Sequence, residues 1–155
     1  MPNPHPEPLT ATVLAVFRAN GRLLEWGDRF AAPFGLTSAR WQMLGALAIS
    51  GAPASAPTIA RQMGVTRQGA SKQLALLEQE GLVCKRPNPA HKRSPLFALT
   101  EAGINRYQAI QRAWTDHAKS VCGQIPAAAL ETTLNTLHAL SDLHHVSDED
   151  PAHAD

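Results

Sequence analysis

Residues 58–74 read TIARQMGVTRQGASKQL, and this stretch decides the fold. Gly64 separates two runs of helical spacing, a short one over Thr58–Met63 and a longer one over about Arg67–Glu80. Ile59 and Ala60 face inward before the turn, Gly64 permits a sharp reversal, and Val65 is expected to plug it. Thr66 is placed to cap the second helix, with Leu74 and Leu77 on its core side. Arg67, Gln68, Ser71 and Lys72 share the other side of its first turns, while Gly69 and Ala70 keep the helix slim. Those polar types are the ones that read DNA. Gln pairs with adenine and Arg or Lys with guanine, while Ser and Thr reach phosphates. A helix N-terminus also offers free N–H groups to phosphate. A helical hairpin with a solvated polar face has the same spacing, so the stretch alone leaves both readings open.

The residues that follow favour the first. Gly81 is placed just past the end of the second helix. LVCKR (82–86) and LFAL (96–99) are strand-like runs, and between them lies PNPAHKRSP (87–95), a turn-rich segment with three basic-type side chains, His91, Lys92 and Arg93. A helix-turn-helix followed by a hairpin with a basic tip is a winged helix. Upstream, Thr37 caps a helix with Trp41, Leu44, Leu47 and Ala48 along its buried side, and SGAPASAP (50–57) reads as a loop. Before that, Leu9, Val13, Phe17, Leu24 and Ala31 recur at helical spacing until Pro33 and Gly35 stop the run. Downstream, Thr100 caps a long helix to about Gly123, with Glu101 in its first turn. Pro126 is expected at the first position of a last helix carrying Leu130, Leu134, Leu137, Leu140, Leu143 and Val146. Residues 1–8 hold four prolines and read as a flexible tail, and 147–155 as an acidic, frayed one.

Charge agrees with this placement. The chain carries a net +1, but residues 61–106 hold eight basic side chains against three acidic ones, and the rest of the chain is net negative. Arg86 and Lys85 belong to this basic middle. Its 155 residues, 44% of them hydrophobic, suffice for one packed domain over 9–146. No apolar run approaches the ~18 residues of a membrane span, so no membrane partner is expected. The first residues lack the basic and apolar regions of a secretory signal, and two cysteines make no disulfide framework. A cytoplasmic location is the expectation.

Residues from about Leu36 to Gly103 resemble the MarR family of bacterial transcription regulators. The matching segments are LTSARWQML (36–44), TIARQMGVTRQGASKQL (58–74), LEQEGLV (77–83) and the wing through LTEAG (99–103). The family typically has an Asp–basic–Arg triplet at the wing tip; here the triplet is His91, Lys92 and Arg93. The resemblance implies a mainly α fold with a small β-wing. It places the winged helix-turn-helix at about 36–103 and dimerisation helices at 9–32 and 104–146. It further implies a homodimeric repressor whose two winged helices address successive major grooves of a palindromic operator, released by a small, aromatic or phenolic ligand. Leu9, Val13, Leu130, Leu134 and Leu137 support pairing independently, since a small core leaves them short of partners.

By these readings the double-stranded DNA contacts are Thr66, Arg67, Gln68, Ser71, Lys72, Lys85, Arg86, His91, Lys92 and Arg93. By resemblance, Arg93 enters the minor groove. His91 replaces an acidic residue suited to orienting that arginine and repels it when protonated, so the wing is expected to be mobile before DNA binds and DNA binding to strengthen at lower pH. The effector site implied by the resemblance involves Trp26, Trp41 and Trp114 with Arg18 and Arg40 as anion contacts. Core or dimer packing is the alternative for the tryptophans. No cofactor is called for. His138, His144 and His145 near Asp142 invite a metal site, but solvated helix-end histidines are the expectation, and no metal is assigned. Cys84 and Cys122 are expected as buried, small apolar residues. A winged-helix protein adaptor, and least of all a small enzyme using a Cys and a His, are the alternatives. No catalytic residue is assigned: nucleophile elbow, phosphate loop, HExxH and paired carboxylates are all missing from the sequence.

Overall fold

A computed structural model describes residues 5–146, so the sequence readings at 1–4 and 147–155 lie outside the described residues. The chain forms two compact units that part between Arg112 and Ala113. That division falls inside a helix. The first unit holds α1 (Glu7–Ala31), a 3-10 turn over Ala32–Phe34, α2 (Ser38–Ser50), β1 (Ala54–Ser55), α3 (Ala56–Met63), α4 (Arg67–Gln79), β2 (Val83–Arg86), β3 (Leu96–Leu99) and the start of α5 (Glu101–Val121). The second holds the end of α5, a 3-10 turn over Cys122–Gln124 and α6 (Ala127–Leu143).

Hydroxyl caps set where the helices begin. Thr37 Oγ1 accepts from the Arg40 N–H at 3.2 Å, and Thr66 Oγ1 from the Gly69 N–H at 3.0 Å. Ser55 Oγ accepts from the Thr58 N–H at 3.4 Å, and Thr100 Oγ1 from the Gly103 N–H at 3.1 Å. Each satisfies one N–H that the helix itself leaves unpaired. Gly64 takes φ +64°, the left-handed conformation that a side chain disfavours, and the turn is closed by a bond from the Val65 N–H to the Ala60 carbonyl at 3.0 Å. Backbone geometry closes this turn; the Val65 side chain is exposed rather than plugging it.

The core lies between α2, α3, α4, the sheet and α5. Leu44, Ile59, Leu74, Leu77 and Ile110 are fully buried, and Met43, Leu82 and Val83 nearly so. Burial of each large aliphatic side chain contributes about 1.5–3 kcal/mol. The sheet has the order β1-β3-β2 and is antiparallel throughout, with Val83 opposite Leu99 and Arg86 opposite Leu96. The hairpin was legible; the third strand was not. Ala54 pairs with Phe97 and Ser55 with Leu96, in a segment whose composition reads as loop. For the same reason α3 begins at Ala56 rather than Thr58: Ser55 ends the strand and caps the helix in one step.

Three other boundaries move. α1 begins at Glu7, with a proline in its first turn where the missing N–H costs nothing, so Glu7 and Pro8 are helical rather than part of the tail. α5 ends at Val121, with Gly123 in the following 3-10 turn, and Pro126 is the cap residue of α6 rather than its first helical residue. Removing the Thr66 hydroxyl tests the capping directly. Thr66→Ala is expected to lower unfolding free energy by about 1 kcal/mol, read by urea denaturation, with an unchanged midpoint counting against the cap.

Candidate nucleic-acid interface

The two sides of α4 differ sharply. Ala70, Leu74 and Leu77 are fully buried, whereas Thr66, Arg67, Gln68, Ser71 and Lys72 are all exposed. The inward positions tie the helix to the core and leave its N-terminal half presenting four polar side chains of the types that contact bases and phosphates. Gly69 is half-buried beneath the Thr66 hydroxyl, so the cap packs tightly against the first turn.

The hairpin separates two adjacent basic residues. Side chains alternate along a strand, so Val83 and Lys85 share one face of β2 and Cys84 and Arg86 the other. Lys85 Nζ lies 3.7 Å from Glu78 Oε2, placing the Lys85 face beside α4. That Glu78 oxygen is buried and makes no hydrogen bond, so Lys85 is its counter-charge rather than a free cation. Arg86, on the other face, instead lines a cavity with Tyr107 and Gln108. The two were read together from the sequence; the structure puts them on different surfaces.

His91, Lys92 and Arg93 are exposed at the wing tip. The tip backbone is held from below by Asn88, which the sequence reading passed over. Its Nδ2 donates to the Ser94 carbonyl at 2.8 Å and its Oδ1 accepts from the Ala90 N–H at 3.1 Å. The Ser94 N–H in turn donates to the His91 carbonyl at 3.0 Å. An Asn bonding to the backbone two residues on is a common turn former, and that was the available signal. These bonds support the tip backbone without an acidic residue two positions before Arg93. Asn88→Ala is expected to loosen the tip and weaken DNA binding about as much as loss of one wing contact, while the same variant keeps its helical circular dichroism. Unchanged affinity would remove Asn88 from this role.

The residues assigned to an effector site are brought together in part. The rings of Trp26 and Phe30 stack at 4.8 Å, and those of Phe30 and Trp41 at 5.5 Å, so Phe30 links the two tryptophans. Arg40 is committed to an ion pair with Glu80, and its side chain is only 17% exposed. Arg18 is exposed on α1, two turns before Trp26. Trp114 belongs to the second unit, where its ring lies 5.8 Å from that of His117. The cysteine reading does not hold: Cys122 is exposed, and Cys84 is half-buried. His138, His144 and His145 are exposed, with His144 Nδ1 at 2.8 Å from the Leu140 carbonyl. Among the described residues no helix is long and apolar enough to cross a membrane.

Comparison with known proteins matches this arrangement. A MarR family model matches residues 34–94. Uncharacterized proteins of Mycobacterium tuberculosis and Mycobacterium bovis are 37% identical over 128 residues, which cover 83% of this chain and 88% of theirs. A MarR family transcriptional regulator from Streptomyces coelicolor is 26% identical with a TM-score of 0.73, covering 88% of this chain and 94% of its own. CouR from Rhodococcus jostii RHA1, solved with p-coumaroyl-CoA, has a TM-score of 0.72 at 20% identity, covering 86% and 93%. The M. tuberculosis regulator MosR, solved in complex with DNA, has a TM-score of 0.69 at 20% identity, covering 86% and 98%.

Proposed function

Because the chain belongs to the MarR family of winged-helix transcription regulators, we propose that it acts in the cytoplasm as a homodimeric repressor that binds a palindromic DNA operator. In this reading α4 of each protomer enters a major groove, with Arg67 and Gln68 at base edges and Ser71 and Lys72 at phosphates. The wing supplies Lys92 and Arg93, and Lys85 reaches the backbone beside α4. Arg86, on the other face of the hairpin, is withdrawn from this set. The observation that carries the reading is the split of α4: three fully buried residues hold it down while its polar N-terminal side is left open. The test is a gel shift against duplex DNA from upstream of the protein's own coding sequence. Gln68→Ala should relax sequence preference at a cost of about 1–3 kcal/mol per lost base contact. No retardation of specific over scrambled duplex would defeat it.

Dimerisation is supported by apolar side chains left open on the terminal helices. Phe17 is 70% exposed and Leu23 64% on α1, and Leu134 is 53% exposed on α6 with Leu130 and Leu137 beside it. A second copy is the occupant that the family arrangement supplies for such faces. Light scattering should give twice the 16.6 kDa chain mass. Leu134→Asp should shift the population to monomer or unfold it, because pairing would bury an unpartnered carboxylate. A wild-type mass near 17 kDa at micromolar concentration would overturn this.

Release by a small aromatic ligand is the finer part of the proposal. One relative of the same fold is bound to p-coumaroyl-CoA, and the Trp26–Phe30–Trp41 stack supplies aromatic surface here. Since Arg40 is paired with Glu80, an anionic ligand recruiting Arg40 must displace that carboxylate and so loosen the link between α2 and the end of α4. Tryptophan fluorescence titrated with salicylate-like compounds, alongside DNA binding, tests this; no change in either would remove it.

A further inference from the structure

Glu78 is the penultimate residue of α4, and its charge is poorly accommodated there. One carboxylate oxygen, Oε2, is buried and accepts no hydrogen bond. A negative charge in the last turn of a helix also meets the negative end of the helix dipole. A carboxylate in such a place is disfavoured unless a cation stands beside it. Among the described residues Glu78 makes one ion pair, with Lys85 of β2, whose Nζ lies 3.7 Å from Oε2. The neighbouring Glu80 is paired with Arg40. This sets Lys85 apart from the other cations assigned to the DNA backbone. Among the described residues Lys72, Lys92 and Arg93 make no ion pair. The Lys85 side chain is nonetheless 54% exposed, so its ammonium is open to a second anion.

We propose that Glu78 limits the DNA affinity of this protein by holding Lys85 back, which withholds one cation per protomer from the phosphate backbone. The proposal rests on the DNA-binding reading and deepens it. A phosphate that recruits Lys85 leaves the Glu78 carboxylate without its counter-charge. That cost offsets the counterion release that a lysine–phosphate contact brings. Glu78 touches no DNA in this account; it is a positioning residue that acts through Lys85. With Glu78 charged, Lys85 adds little to binding. With Glu78 neutral, Lys85 joins Lys72, Lys92 and Arg93 as a full phosphate contact. Phosphate contacts carry no sequence information, so the pair leaves a larger share of binding to the base contacts of α4.

The experiment measures binding of the full-length protein and its Glu78→Gln, Lys85→Gln and doubly substituted variants to upstream and scrambled duplexes across a salt series. Glu78→Gln is expected to steepen the slope of log K against log salt by about 2, because two lysines per dimer each add about 0.9. It should tighten binding about tenfold or more at 50 mM salt, and that gain should shrink about tenfold by 200 mM. The gain should be as large on scrambled duplex as on the upstream one, as a backbone contact requires. Lys85→Gln alone should leave the slope within about 0.5 of wild type, yet remove the whole gain when added to Glu78→Gln. A structural role for Glu78 would alter affinity without altering the slope, and would not need Lys85. An unchanged slope in Glu78→Gln, a gain confined to the upstream duplex, or a gain that survives loss of Lys85 would each overturn the proposal. Should Glu78→Gln fail to fold, Lys85→Gln decides from the other partner: a slope flattened by about 2 in that variant shows that Lys85 is already a full phosphate contact and overturns the proposal. A wild-type slope near zero defeats the DNA-binding reading and this proposal with it, whereas a steep wild-type slope left unchanged by Glu78→Gln defeats this proposal alone.

Discussion

Raising salt from 50 to 200 mM is expected to weaken operator binding by about 10³–10⁴-fold. The size follows from counting cations. Lys72, Lys85, Lys92 and Arg93 are doubled in a dimer. Lys85 already neutralises a buried Glu78 oxygen, so its exchange for phosphate gains less than a free lysine would. That leaves about 6–8 neutralised phosphates and a slope of roughly −5 to −7 in log K against log salt. Arg93→Ala removes two contacts per dimer and should flatten the slope by about 2 while weakening binding at every salt concentration. A slope near zero would contradict the nucleic-acid reading as a whole. An unchanged slope in Arg93→Ala would show instead that the hairpin tip does not touch DNA. The same titration repeated at lower pH with His91→Gln decides whether His91 adds charge to the wing; identical pH profiles would remove it from the site.

Gly103→Ala is expected to cost about 3 kcal/mol or more, whereas Gly21→Ala should stabilise by about 0.5–1 kcal/mol. Both glycines lie within helices, so propensity alone predicts the same sign for the two. The difference is the neighbour. A methyl group on Gly21 meets nothing within 4 Å, whereas one on Gly103 would overlap the Leu82 backbone carbonyl. That carbonyl accepts from the Thr100 N–H at 3.1 Å, and the Thr100 hydroxyl donates to the Gly81 carbonyl at 2.6 Å. Together these contacts stitch the start of α5 to the junction between α4 and β2. Backbone cannot move aside as a side chain can, so the strain of Gly103→Ala falls on the connection that orients the wing. Urea denaturation of both variants checks this, and a stabilising Gly103→Ala would show that α5 can shift away from Leu82 at no cost.

Most of the winged helix was legible because its signals are local. Thr37, Thr66 and Thr100 each cap the helix that follows by accepting from an N–H three residues on, and Gly64 takes a backbone angle decided by its own missing side chain. The period of Leu74 and Leu77 chooses which side of α4 faces in, and so which side is left for a partner. Such effects act over a few residues and need no knowledge of the rest of the chain.

What the sequence alone determined is therefore the order of elements, the polar face of α4 and the basic tip of the hairpin. The tertiary structure decided what depends on residues far apart. Ala54 and Ser55 are a strand only because the free edge of β3 lies within hydrogen-bonding reach; nothing in their own composition asks for it. Arg40 meets Glu80 forty residues on, which takes it out of the set of free anion contacts. Phe30 joins Trp26 to Trp41 across two helices. Lys85 and Arg86 look equivalent in sequence, yet the strand's alternation sends Lys85 to α4 and Arg86, on the other face, to the lining of a cavity. Charge can be counted along a chain, but the partner that fixes what each charge does is set by packing, because ion pairs and cavities form between elements that only the folded core brings together.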